Sequence, residues 1–159
     1  QLVQFVVDDV DNGDEVYGAG DVLLLQFSMD TNRPVPTEGL EGNGTYGTGL
    51  VDELFAFSDP IGASYSGRWV KPYRFEVTVL DAAGADVEPG RTEVLVVSQD
   101  IRNAAGDALS ANNQSAVLVG DFGNMSEPRI DRFTVVVAAN ATNYTDGDSI
   151  VLHFDMRTN

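Results

Sequence analysis

The chain has 159 residues, 43% of them hydrophobic, and carries 25 acidic against 9 basic side chains for a formal net charge of −16. That balance excludes nucleic acid and anionic membrane surfaces as partners, because binding phosphate needs Lys and Arg in excess. There is no run of about 20 apolar residues to span a bilayer, and no Cys for a disulfide or a thiolate metal site.

In chain order, the first element is a strand that opens into an acidic connection. Asp8, Asp9, Asp11, Asn12, Asp14 and Glu15 crowd together there. The second strand follows, with Leu23, Leu25 and Phe27 on one face and Gln26 and Ser28 on the other, the period-two pattern of a half-buried strand. Residues 32–49 are rich in Gly, Pro and Thr and have no apolar period, so they read as a long loop. The loop contains Gly42-Asn43-Gly44-Thr45-Tyr46-Gly47, literally Gly-X-Gly-X-X-Gly. A dinucleotide loop must follow a strand and open a helix, and this one sits inside an irregular insert, so the nucleotide reading is set aside.

Leu50 to Leu54 is the only helix candidate, one turn at most. Phe75, Val77 and Val79 alternate with Arg74, Glu76 and Thr78, a further half-buried strand, whereas Val94–Val97 and Ala116–Val119 read as more fully buried ones. Asn12-Gly13, Ala83-Gly84, Pro89-Gly90 and Ala105-Gly106 mark the turns between them. About seven short strands at this spacing describe an all-β, immunoglobulin-like β-sandwich. Residues 121–129 then link to two final strands, Ile130–Val137 and Ser149–Met156.

Those last strands echo the first. Phe5 recurs as Phe133, and after one deleted residue Tyr17, Gly20-Asp21, Phe27, Met29 and Thr31-Asn32 recur as Tyr144, Gly147-Asp148, Phe154, Met156 and Thr158-Asn159. Self-similarity at a fixed spacing is the mark of a tandem array. Residues 1–128 are expected to form one complete repeat, and residues 129–159 the first two strands of the next. Two strands cannot bury a core alone, so they need the first unit, another chain or a further module.

Asn-X-Ser/Thr sequons stand at Asn43, Asn113, Asn124, Asn140 and Asn143. With ten Asn in the chain, chance would supply about one sequon. The excess points to a secreted, extracellular or cell-surface protein carrying N-linked glycans. Calcium is the candidate cofactor, since it takes about six to eight hard oxygen ligands that only a folded loop gathers without self-repulsion. In an immunoglobulin-like sandwich the first hairpin loop lies near the exit of the last strand. The candidate ligands are therefore Asp8, Asp9, Asp11, Asp14 and Asp121, with Glu127 nearby; the competing reading is a solvated acidic loop. The second copy has Ala138, Ala139, Asn140 and Asn143 where the acids were, so not every repeat would bind. The only His is His153, on the polar register of its strand, and no nucleophile has a recognisable base. No catalysis is expected.

Gly20-Asp21 followed by Leu23-Leu24-Leu25-Gln26-Phe27-Ser28 resembles the early strand of bacterial-type immunoglobulin-like repeats. Pro89-Gly90-Arg91-Thr92 before Val94-Leu95-Val96-Val97, then Asp100 to Ser110, resembles their closing part, with Asp107 in place of the usual Asn. Together with Val51–Phe57 and Tyr65–Trp69, the set is similar to tandem repeats in very large extracellular proteins of algae and other protists, including mastigoneme-like filaments of flagellar hairs. The resemblance implies a structural building block of a filament, coat or adhesin, whose partners are neighbouring repeats and other copies of the same protein. Two other readings compete. One is an adhesin or glycan-binding module in which Tyr46, Tyr65, Trp69 and Tyr73 form a stacking surface, against core packing of Trp69. The other is an archaeal surface-layer glycoprotein domain.

Overall fold

The computed structural model describes residues 1–8, 16–35, 40–41, 44–109, 115–122, 130–136 and 149–154. The chain divides into two compact units, Gln1–Asn124 and Met125–Asn159. Among the described residues no helix is long and apolar enough to cross a membrane.

Among its described residues the first unit is all-β apart from one short helix. Its elements are β1 (Leu2–Asp8), β2 (Val22–Phe27), β3 (Leu40–Glu41), β4 (Thr45–Tyr46), α1 (Thr48–Leu54), β5 (Phe55–Phe57), β6 (Ser64–Lys71), β7 (Arg74–Asp81), β8 (Glu93–Val96) and β9 (Ala116–Val119). They form a mixed sheet in the order β3-β4-β6-β7-β2-β1-β9-β8-β5. Every neighbouring pair is antiparallel except β1 and β9, which run parallel through Phe5↔Leu118 and Val6↔Val119.

The sheet curls on itself, and ring distances prove the curl. β5 lies five places from β7 in the sheet order. On a flat sheet that separation would be about 24 Å, yet the Phe55 and Phe75 ring centroids are 5.1 Å apart. Strands from the two halves thus face each other across one core. Phe5, Leu23, Leu25, Phe75 and Val77 meet Phe55, Val94, Val96, Ile101 and Leu118, with Val51 and Leu54 of α1 closing the cluster. The alternation in β2 and β7 is as expected: Leu23, Leu25, Phe27, Phe75, Val77 and Val79 are all buried. Gly67 of β6 marks close packing against the core, because a Cβ there would sit 2.5 Å from two ring atoms of Phe75.

Three expectations are corrected. The runs Val94–Val97 and Ala116–Val119 are not buried on both faces, since Val97, Val117 and Val119 are 42%, 41% and 48% exposed. A curled sheet has a single interior, and its outer face meets solvent. The helix has seven residues rather than one turn. Finally, residues 32–49 are not simply a loop: Leu40 pairs with Tyr46 and Glu41 with Thr45 in a small hairpin. Its Tyr46 is buried edge-on to Phe75, with ring centroids 5.4 Å apart, and donates its hydroxyl proton to the Pro34 carbonyl. The described part of the Gly-X-Gly-X-X-Gly segment is therefore turn and strand: Gly44 takes a φ of 75° and Tyr46 lies in β4.

The second unit is the antiparallel pair β10 (Ile130–Val136) and β11 (Ser149–Phe154). Its register is Ile130↔Phe154, Arg132↔His153, Phe133↔Leu152, Thr134↔Val151, Val135↔Ile150 and Val136↔Ser149, with a bulge between Ile130 and Arg132. In β1–β2 the register is Leu2↔Phe27, Gln4↔Gln26, Phe5↔Leu25, Val6↔Leu24, Val7↔Leu23 and Asp8↔Val22, with a bulge between Leu2 and Gln4. Moving the first strand by 128 positions and the second by 127 converts one list into the other, bulge included. The one-residue deletion falls in the connection between the strands.

Candidate functional site

The residues that recur along the chain gather at the two ends of the first unit's strands. Just ahead of β2, the described residues Gly18–Asp21 turn tightly. Asp21 is buried and accepts a hydrogen bond from the Gly18 amide at 2.8 Å, while its own carbonyl accepts from Val79 at 2.9 Å. Gly20 donates to the Val79 carbonyl at 2.9 Å from a φ of 110°, a conformation in which Gly carries no penalty. Tyr17 lies across this turn and donates its hydroxyl proton to the Ile61 carbonyl at 2.9 Å. Its ring meets Phe122 edge-on, with centroids 5.3 Å apart at 65°. Burial, and secondarily the Asp21 charge, pushes the Tyr17 phenol well above its ordinary pKa. The hydroxyl is held as a neutral donor.

Phe122 reaches this position because Gly120 directly follows β9. That residue has a φ of 106°, and a Cβ there would lie 2.8 Å from the Val7 carbonyl oxygen. Only Gly lets the departing chain pass so close to β1. The parallel pairing of Val6 with Val119 also sends both strands out at one edge, so Asp8 and Asp121, each two residues further on, leave on the same side.

At the opposite end, Thr31 and Asn32 staple the last loop to the sheet. Thr31, itself buried, donates its hydroxyl proton to the Pro72 carbonyl at 2.6 Å. The Asn32 side chain accepts from the Arg102 amide and donates to the Asp100 carbonyl, both at 2.9 Å. Asn103 then folds the loop over itself, its Oδ1 accepting from the Asp107 and Ala108 amides at 3.1 and 3.2 Å. The segment from Pro89 is structural in the same way. The hydroxyl of the fully buried Thr92 accepts from the Glu88 amide at 2.9 Å, and the Gly90 amide donates to Leu118 at 2.8 Å.

Of the candidate calcium ligands, Asp8 and Asp121 come to the same edge; Asp9, Asp11 and Asp14, with Glu127, lie outside the described residues. Among the described residues no group of three or more His, Cys, Asp or Glu gathers to hold a metal. The sequon residues Asn43, Asn113, Asn124, Asn140 and Asn143 also lie outside the described residues. His153 stands opposite Arg132 on β11. The proposed stacking surface loses Tyr46 and Tyr65 to burial, and Trp69 packs on Phe27 and Phe75 at 5.6 and 5.1 Å; only Tyr73 remains exposed. Burial and the hydrogen bond to Asp52 push the Tyr65 phenol up as well.

Acid count and sequons drew attention to the loops and passed over Tyr17, Asp21, Thr31, Asn32 and Phe122. For the first four the usable signal was the echo, which repeats Tyr, Gly-Asp and Thr-Asn while discarding the acids; Phe122 has no counterpart in it. Set against known proteins, the chain matches no family model, no curated protein sequence and no solved structure.

Proposed function

We propose that this chain is a structural repeat module of a secreted, N-glycosylated extracellular filament or coat, an immunoglobulin-like sandwich followed by the opening strands of the next. The observation that carries the reading is the shared register of β1–β2 and β10–β11, which agrees in all six pairs and in the bulge. A chance resemblance of sequence would not reproduce a bulge. What recurs is also telling. Core, turn and staple residues return and the acids of the first connection do not, which is the economy of a repeated scaffold rather than a repeated active site.

The pairings support the immunoglobulin-like assignment. In constant-type domains strands A, B, E and D form one sheet and C, F and G the other. Taking β1, β2, β5, β6, β7, β8 and β9 as A to G, the observed neighbours give A–B, B–E and E–D, then C–F and F–G. The β3–β4 hairpin is an excursion between B and C. Because β1 and β9 are parallel, the first strand begins and the last strand ends at opposite ends of the unit.

Imaging the native assembly tests this. Evenly spaced beads along a fibre or lattice are expected; short, freely diffusing monomers would overturn the proposal.

A further inference from the structure

We infer that Phe122 is an anchoring residue of the segment that leaves the first unit, held against the ring of Tyr17, which the Ile61 carbonyl and the adjoining Gly18–Asp21 turn keep in place, and that Tyr-X-X-Gly-Asp is the signature of that seat. The inference rests on the tandem reading and names the residues that would set how the chain leaves each unit. The strand β9 ends at Val119, so Gly120, Asp121 and Phe122 already belong to the departing segment. Yet Phe122 is packed against the core cluster together with Tyr17. A linker residue that buries an aromatic ring gains both apolar burial and an edge-to-face contact. The seat beneath it is rigid because each part is tied elsewhere. Tyr17 is bonded to Ile61, Asp21 holds the Gly18 amide, and Gly20 and Asp21 are bonded to Val79 on β7.

With Phe122 seated, Gly120, Asp121 and Phe122 (three residues, about 10 Å of extended chain) are held on the first unit rather than left to the segment that follows. The same five-residue pattern, Tyr17-Gly18-Ala19-Gly20-Asp21, returns as Tyr144-Thr145-Asp146-Gly147-Asp148. In an array, each copy of the pattern would hold the aromatic residue that follows its own last strand.

The chain has no Cys, so a spin label on Asp121→Cys reports the exit segment cleanly in the full chain. An immobilised line shape is expected for the parent and a mobile one with Phe122→Ala or Tyr17→Ala. Hydrogen exchange of the 120–122 amides should quicken at least tenfold in both variants, and Phe122→Tyr should restore the parent behaviour. Emission of Trp69, the single Trp, monitors the fold of the first unit throughout. A mobile label in the parent, an unchanged line shape in Phe122→Ala, or outright unfolding of the first unit by that substitution would each overturn the inference, the last by making Phe122 a core residue. If the native protein proves to be a free monomer while the label stays immobilised, the array reading fails and the seat stands.

Discussion

The β1–β2 and β10–β11 hairpins pair alike and are buried differently. Leu23 and Leu25 are 0% exposed, and their counterparts Ile150 and Leu152 are 53% and 47% exposed. Register is a local property: alternation and the bulge choose which residues face each other, and a one-residue slip would turn every side chain over. Burial is not local. Leu25 is enclosed because β7 pairs on one side of β2, β1 on the other, and Phe55, Val94 and Val96 close over the face. The comparison separates what a hairpin knows about itself from what the rest of a unit supplies.

The sharpest way to break it is a matched pair of truncations in one chain. Leu25→Ala should cost about 3 kcal/mol of unfolding free energy in urea, the range for a fully enclosed leucine. Leu152→Ala should cost less than about 1 kcal/mol, since half its surface is already wet. Equal losses would mean that the second hairpin is as enclosed as the first.

Gly67→Ala is expected next, at about 2 kcal/mol, because its Cβ would drive into the Phe75 ring and, at 2.9 Å, into Val51. Thermal melts following Trp69 emission would register it directly. Asn32→Ala should lose about 1 kcal/mol with its two hydrogen bonds to residues 100 and 102. Hydrogen exchange at the Arg102 amide should rise while β2 stays protected; faster exchange throughout the unit would contradict a local staple.

The smallest effect is alkaline. Tyr17, Tyr46 and Tyr65 have phenols raised first of all by burial, so the folded state binds their protons more tightly than the unfolded chain does. A raised folded pKa stabilises below the unfolded value of about 10 and loses that contribution as pH climbs above it. Midpoints of denaturation should therefore be flat through neutrality and fall above about pH 10. Tyrosinate absorbance should show these three phenols ionising late, in step with unfolding, and early ionisation of all the tyrosines would refute their burial.

Much of the architecture was legible beforehand. Strand faces such as Phe75, Val77 and Val79 are written in period-two alternation, and the turn glycines are written in dipeptides. The double burial expected of Val117 and Val119 was not borne out, because an apolar run looks the same whether one face or both are covered. Tyr46 gave no hint of burial either. Its neighbours are Gly and Thr, and the ring is buried through Phe75, 29 positions away in the chain.

By itself the sequence determined the all-β character, the alternation of the strands and the echo of residues 5–32 in residues 133–159, since these depend on residues a few positions apart or on direct comparison of two segments. Only the tertiary structure decided that β1 lies parallel to β9, that the sheet curls until Phe55 meets Phe75, and that Tyr17 rests on Phe122. Each of these joins residues far apart in the chain. Such contacts form when the whole unit closes over its apolar face, a condition no local pattern encodes.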